Sequence, residues 1–184
     1  EITLDRENDK LSIAFYKPLG IVSTQPEKGY TTAVDLLKDD LPIEKLSPCG
    51  RLDIDSQGLM IFTTDGSLAK AIIGENSPID KEYLIRVDQE PTDAQIAKLR
   101  HGLSLDEKPL KRAKVTRNGP CRIKMILIEG KKRQIRRMCD AVDLHVIGLT
   151  RTRIGPVKLG DLEPAGWRHL NDYELTNLRK QISY

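Results

Sequence analysis

Residues 50–66 read Gly-Arg-Leu-Asp-Ile-Asp-Ser-Gln-Gly-Leu-Met-Ile-Phe-Thr-Thr-Asp-Gly. Two acids, an arginine and a glycine turn stand directly ahead of an apolar run. Aspartate and glycine favour tight loops, and Leu59–Thr63 has the composition of a strand. The stretch reads as a loop that holds one carboxylate in a fixed place at the start of a buried strand. Asp65-Gly66 then turns the chain into a short helix over 67–73.

Working outward, Leu11–Tyr16 reads as a strand stopped by Lys17-Pro18-Leu19-Gly20, because proline lacks the ladder donor. Residues 31–38 read as a short helix with Thr31 as N-cap. Lys81–Val87 is a second clear strand. Thr92–Leu99 follows a proline, opens Thr-Asp-Ala-Gln and is followed by Gly102, the marks of a helix. Lys111–Arg117 and Cys121–Ile128 are strands joined at Asn118-Gly119-Pro120. In the second of them Cys121, Ile123, Met125 and Leu127 alternate with Arg122 and Lys124, so one face is buried. A helix is expected over 132–142, strands within 144–154, an ordered surface loop holding a buried Trp167 over 155–167, and a final helix capped by Asn171 and running through Arg179. Six to eight strands and about five helices in mixed order predict an α+β chain: a mixed, largely antiparallel sheet with flanking helices.

The composition is that of an ordinary globular domain, with 39% hydrophobic and 31% charged residues. No apolar run approaches the roughly 18–20 residues that span a bilayer, so no membrane partner is expected. The first ten residues are mostly polar and do not resemble a signal peptide. Cys49, Cys121 and Cys139 are too far apart for a Cys-x-x-Cys site, and an odd count argues against a disulfide framework. They read as small buried thiols of a cytoplasmic protein. The net charge is only +3, but Lys131, Lys132, Arg133, Arg136 and Arg137 crowd together, Arg151 and Arg153 follow, and Lys111, Arg112, Lys114 and Arg117 form another group. Such clusters attract phosphates, or simply form a solvated face.

Three plain readings compete for Asp53 and Asp55. Asp-x-Asp-x-Gln-Gly copies the first half of a calcium loop, but Thr64 stands where that loop needs its bidentate glutamate. A pair of carboxylates could divide acid and base duties, as in glycosidases; two residues apart in an extended loop, however, the side chains are expected to diverge. Loop aspartates are most often structural turn residues.

The wider pattern changes the balance. Gly50-Arg51-Leu52-Asp53 with Ser56, Gly58-Leu59, an apolar strand and Thr63-Thr64-Asp65-Gly66 resembles the long signature of the RsuA family of pseudouridine synthases, the group that includes RluB, RluE and RluF. Lys17-Pro18-Leu19-Gly20 is similar to that family's opening motif and Lys81-Glu82-Tyr83 to its Lys-x-Tyr strand. Glu129-Gly130-Lys131-Lys132-Arg133-Gln134-Ile135-Arg136-Arg137-Met138 is similar to its last motif. Asp55-Ser56-Gln57-Gly58-Leu59 and Arg151-Thr152-Arg153-Ile154 are worded most like the RluF branch. Thr64 and Tyr16 depart from the usual asparagines, away from the proposed nucleophile.

The resemblance implies the pseudouridine synthase catalytic fold with a central RNA-binding cleft over residues 11–184. Residues 1–10 are expected to be the remnant of a linker from a small N-terminal RNA-binding module. It implies isomerisation of a uridine in structured RNA, with a hairpin of 23S large-subunit rRNA favoured and a tRNA stem-loop as the other target. The bond from ribose to uracil nitrogen 1 breaks and ribose rejoins at ring carbon 5, which calls for no metal, nucleotide or organic cofactor. The catalytic residues implied are Asp53, as nucleophile or base on a flipped-out nucleotide, Tyr83, packed on the uracil, and Arg136, paired with Asp53. Helical spacing gives Arg136 independent support. Ile135, Met138, Cys139 and Val142 form an apolar stripe, Arg133, Arg137 and Asp140 lie opposite, and Arg136 falls on the border. Substrate contacts are expected from Arg51, which helps displace the base, from Ile135 as an apolar wall, from Lys17 and Lys81, and from Arg133 and Arg137 at phosphates. Asp55 is left as a structural acid and a partner for Arg51; His101, His145 and His169 are structural or surface residues. A monomer is the default expectation. A non-catalytic ribosome-assembly factor that keeps the basic groove, and a hydrolase using Asp53 and Asp55, are the competing functions.

Overall fold

The computed structural model describes residues 10–24, 28–74 and 76–182, so nearly all of the expected linker lies outside the described residues. In chain order the elements are β1 (Ser12–Lys17), β2 (Ser47–Pro48), β3 (Gln57–Thr63), α1 (Gly66–Ile73), β4 (Lys81–Val87), α2 (Asp93–Arg100), β5 (Ser104–Leu105) and β6 (Lys108–Pro109). They continue with β7 (Lys114–Arg117), β8 (Arg122–Leu127), α3 (Gln134–Ala141), β9 (Val146–Ile154), β10 (Val157–Lys158), β11 (Trp167–His169) and α4 (Asp172–Ile182).

Nine strands form one sheet in the order β11-β1-β3-β9-β4-β8-β7, with β10 added to β9 and β2 to β3. The β3–β9 pairing is parallel and the other strand pairs are antiparallel. This is the expected α+β arrangement, a mixed and mostly antiparallel sheet with flanking helices. The apolar run of β3 is explained by cover on both faces. Leu59 and Ile61 join the core under α1 and α4. Met60 and Phe62 point the other way, toward Phe15, Leu37 and Leu52. A third core packs α2 and α3 on β4, β7, β8 and β9 through Ile96, Leu99, Met138, Ile85, Ile123 and Met125.

Several local expectations hold because the chemistry is local. Thr92 caps α2 in a reciprocal pair with Gln95. Asn171 Oδ1 accepts from Glu174 N at 2.8 Å while Glu174 Oε1 accepts from Asn171 N at 2.9 Å, which starts α4. Residues 31–38 do not form an α-helix: a 3-10 turn covers only Val34–Leu36. Thr32, not Thr31, exchanges hydrogen bonds with Asp35 there. The stretch 155–167 is not all loop, since it contains β10 and the first residue of β11. Trp167 is half-buried, and its Nε1 donates to Asp40 Oδ2 at 3.2 Å. Four α-helices are present among the described residues, one fewer than expected.

Candidate active site

The backbone of residues 51–54 is held at each residue in turn. Arg151 Nη1 donates to Arg51 O at 3.4 Å. Ser23 Oγ accepts from Leu52 N at 2.9 Å and donates to Leu52 O at 2.5 Å. Asp53 O accepts from Ser56 N at 3.0 Å, and Ile54 O accepts from Gly20 N at 2.9 Å. The Leu52 side chain is buried in the core beneath. These bonds fix the Asp53 backbone while its side chain stays 43% exposed. Gly58 anchors the far end of the loop. Its φ is +118°, and a Cβ there would lie 2.2 Å from Arg151 O, so no other residue lets β3 and β9 meet at this point.

Helix α3 faces this loop. Ile135, Met138, Cys139 and Val142 are all buried, as the spacing predicts. Arg133, the N-cap residue at φ +52°, and Arg136, inside α3, both reach the loop. Arg133 Nη1 lies 3.4 Å from Asp53 Oδ2, and Arg133 Nη2 lies 2.8 Å from Asp55 Oδ2. Arg136 Nη2 donates to Asp55 O at 2.8 Å and Ser56 Oγ at 3.4 Å, and Arg136 Nε lies 3.5 Å from Asp55 Oδ2.

The pairing therefore differs from the expected one. Arg133 contacts Asp53, and Arg136 holds Asp55 and the turn behind it. The expected border position of Arg136 is correct, with its side chain 15% exposed against 39% for Arg133. Arg133 is accordingly no free phosphate contact. The two aspartates do not diverge either, because the turn closed by Ser56 N brings both to one guanidinium. Asp55 is partnered by Arg133 and Arg136 rather than by Arg51. The hydrogen bonds from Arg133 hold the Asp55 carboxyl below its ordinary range and raise the Arg133 guanidinium in turn.

Asp53, Arg51, Lys81, Tyr83, Ile135 and Arg136 line one cavity of about 910 Å³. Tyr83 is 8% exposed and Ile135 5%. Lys81 is partly buried, and burial lowers its amine, with Arg151 adding to the effect. Lys17 is not a surface contact. It is fully buried, and Nζ donates to Pro18 O at 2.9 Å and Ile21 O at 2.6 Å. Burial pushes its amine down to about 8, against the upward pull of Asp53 and Asp55. Its contribution is a positive charge beneath the loop, since β1 places it opposite Gly58. Arg137 stands outside the cavity lining, where Nη2 pairs with Asp106 Oδ1 at 2.6 Å. It faces a second, smaller depression with Asp140 and His145.

Arg151 was legible in the sequence only as part of a motif and of a basic group expected at the surface, which its burial corrects. It is 4% exposed, lines the same cavity and donates from Nε to Leu59 O at 2.8 Å. A lone arginine between threonines in a strand carries no periodicity signal that separates a surface residue from a buried one. Cys49 and Cys139 are buried, and burial pushes both thiols up to about 12, which leaves them unreactive. The three histidines are exposed.

A carboxylate on a fixed loop, an aromatic ring and several cations thus line one cavity. Residues 12–141 match the family model described as RNA pseudouridylate synthase. An uncharacterised RNA pseudouridine synthase of Aquifex aeolicus is 35% identical over 174 residues, covering 94% of this chain and 73% of that protein. The dual-specificity RNA pseudouridine synthase RluF of Salmonella typhi is 38% identical over 175 residues, covering 95% of this chain and 60% of that protein. The chain thus spans about three fifths of that relative's length. A crystal structure of a pseudouridylate synthase superposes with a TM-score of 0.84 at 29% identity, covering 92% of this chain and 74% of the other. The chain belongs to the RNA pseudouridylate synthase family. Its matches to RluF, to large-subunit synthase E and to large-subunit synthase B place it in the RsuA group.

Proposed function

We propose that the protein converts a uridine of a structured RNA into pseudouridine, with Asp53 as the group that acts on the ribose. The observation that carries this reading is the four-residue backbone clamp on the Asp53 loop, which presents one carboxylate to a cavity walled by Tyr83 and Ile135. An extruded base stacks on Tyr83, a contact worth about 1–3 kcal/mol. Ile135 closes the pocket as an apolar wall, and Arg51 stands at the rim where the displaced helix passes. Arg133 positions the Asp53 carboxylate through the 3.4 Å contact of Nη1 with Oδ2.

The family match supports uridine isomerisation over a binding-only assembly factor. A large-subunit rRNA hairpin is the favoured RNA, because two of the relatives are named for the large ribosomal subunit. A tRNA stem-loop is the second target, favoured by the dual specificity in the name of the RluF relatives. The protein is taken to act as a cytoplasmic monomer without cofactor. The test is carbodiimide labelling and primer extension on unmodified 23S rRNA and tRNA transcripts incubated with the protein. A stop at one discrete uridine is expected. Intact RNA with no stop in either transcript overturns the reading, and strand scission or base release points to a hydrolase.

A further inference from the structure

Arg151 lines the cavity from strand β9 and borders both Tyr83 and the start of β3. Across the β4–β9 pair it stands opposite Tyr83, so the two side chains share a face with their Cβ atoms about 5 Å apart. Across the β3–β9 pair it stands opposite Gly58, whose missing side chain leaves room for the arginine to lie over β3. Nε and Nη1 are then taken by Leu59 O and Arg51 O, at 2.8 Å and 3.4 Å. Nη2 is buried and has no hydrogen-bond partner among the described residues. Buried donors of a charged group are rarely left so, and here the residue lines the cavity that holds Asp53 and Tyr83. Its partners are carbonyls, which leave the positive charge of the guanidinium uncancelled. That charge is felt nearby, because Arg151 lowers the amines of both Lys17 and Lys81.

The reaction produces a charge that such a donor fits. When the bond between ribose C1′ and uracil N1 breaks, its electron pair stays with the ring, and the negative charge spreads over N1 and the two carbonyl oxygens. Re-attachment forms the C1′–C5 bond, C5 gives up its proton, and N1 gains one, so composition is unchanged. We infer that Arg151 is a catalytic residue, with Nη2 donating to a carbonyl oxygen of the extruded uracil and stabilising the ring while it is detached. The inference rests on the reading that this cavity receives the target uridine. Nη1 holds the Asp53 loop at Arg51 O, Nε holds β3 at Leu59 O, and Nη2 is kept for the base, so one residue ties the loop that carries the acid to the strand beside the ring.

The test uses the whole protein and a 23S rRNA transcript tritiated at uracil carbon 5, with single-turnover tritium release and filter binding measured in parallel. Arg151→Met is expected to release tritium about 100-fold more slowly, the scale of losing one preorganised donor, with RNA affinity unchanged within about threefold. Arg151→Lys is expected to recover part of the rate and to lose it again as pH rises through the amine's pKa, a dependence the arginine enzyme lacks. A purely structural staple predicts for Arg151→Lys a pH profile parallel to that of the unsubstituted protein, and that result overturns the inference. So does a rate within threefold for Arg151→Met, or a loss of affinity that accounts for the loss of rate. Should Arg151→Met not fold, the pH profile of Arg151→Lys decides alone. If the unsubstituted protein releases no tritium from this RNA or from a tRNA transcript labelled in the same way, the reading of the cavity falls, and this inference with it.

Discussion

One guanidinium holds both acids of the loop: Arg133 reaches Asp53 with Nη1 at 3.4 Å and Asp55 with Nη2 at 2.8 Å. The shorter contact is to the acid that is not proposed to react. Asp55 therefore anchors Arg133, and the looser contact leaves Asp53 able to move onto a substrate. Each surface pair of this kind stabilises the fold little, so its effect belongs to positioning.

Replacing Arg133 by Ala frees Asp53 while leaving Arg136 on the turn. Turnover is expected to fall about 100-fold, the cost of misplacing a reacting group. Arg136→Ala removes the clamp on Asp55 O and Ser56 Oγ and is expected to lower turnover by at least as much, with small effect on RNA affinity. Arg137→Ala removes the Asp106 pair and the hydrogen bond to Lys132 O, neither of which reaches the Asp53 loop, and should leave turnover per bound RNA intact. Single-turnover rates and filter-binding affinities at two salt concentrations separate the three; a loss confined to salt-dependent affinity for Arg133 and Arg136 would make them phosphate contacts.

The Asp55 carboxyl is depressed by Arg133, so the pair is present above the ordinary aspartate pKa and is lost only as pH falls through the lower folded value. A carbon-detected NMR titration is expected to place the Asp55 midpoint below 3.8. In Arg133→Ala it should move back up. A midpoint unmoved by that substitution would show that the hydrogen bonds from Arg133 are not its cause.

Lys17 titrates in the folded state near 8 rather than 10.5. Between those values the unfolded chain binds the proton and the folded one does not, so stability from this group rises with pH. It is fully present above 10.5 and lost as pH falls to about 8. Denaturant unfolding of the protein and of Lys17→Met, compared from pH 7.5 to 9.5, should show the unsubstituted protein gaining relative stability with rising pH. The slope is at most about 1.4 kcal/mol per pH unit. A flat difference would mean the amine titrates normally.

Gly58→Ala forces a Cβ to within 2.2 Å of Arg151 O at a φ of +118°. It should cost at least about 2 kcal/mol, because β3 and β9 must part at the point where the site is assembled. Thermal unfolding reads this directly. Gly119→Ala, at a positive φ with open space around it, should cost less.

The elements that position the site were readable because their signals are local. The Lys81–Val87 strand, the Thr92 cap and the Asp65-Gly66 turn each depend on neighbours within a few residues, and they stand where the pattern puts them. The partner of Asp53 was not readable. Arg133 leaves the helix as its left-handed N-cap while Arg136 stays within it, and only that turn and the approach of α3 to the loop decide which reaches which acid. Lys17 was expected as a substrate contact through the resemblance alone, while its burial depends on β1 and β3 pairing. Arg151 was hidden for the same reason: its neighbours Leu59, Arg51 and Tyr83 are brought to it by three different strand and loop contacts.

Asp53→Asn tests the central claim most directly, since it keeps the shape of the side chain and removes its charge. Carbodiimide mapping of the modified RNA, with affinity measured on the same preparation, should show binding nearly unchanged and no pseudouridine formed. Conversion by the variant at the normal rate would contradict the assignment of Asp53 and the account built on it.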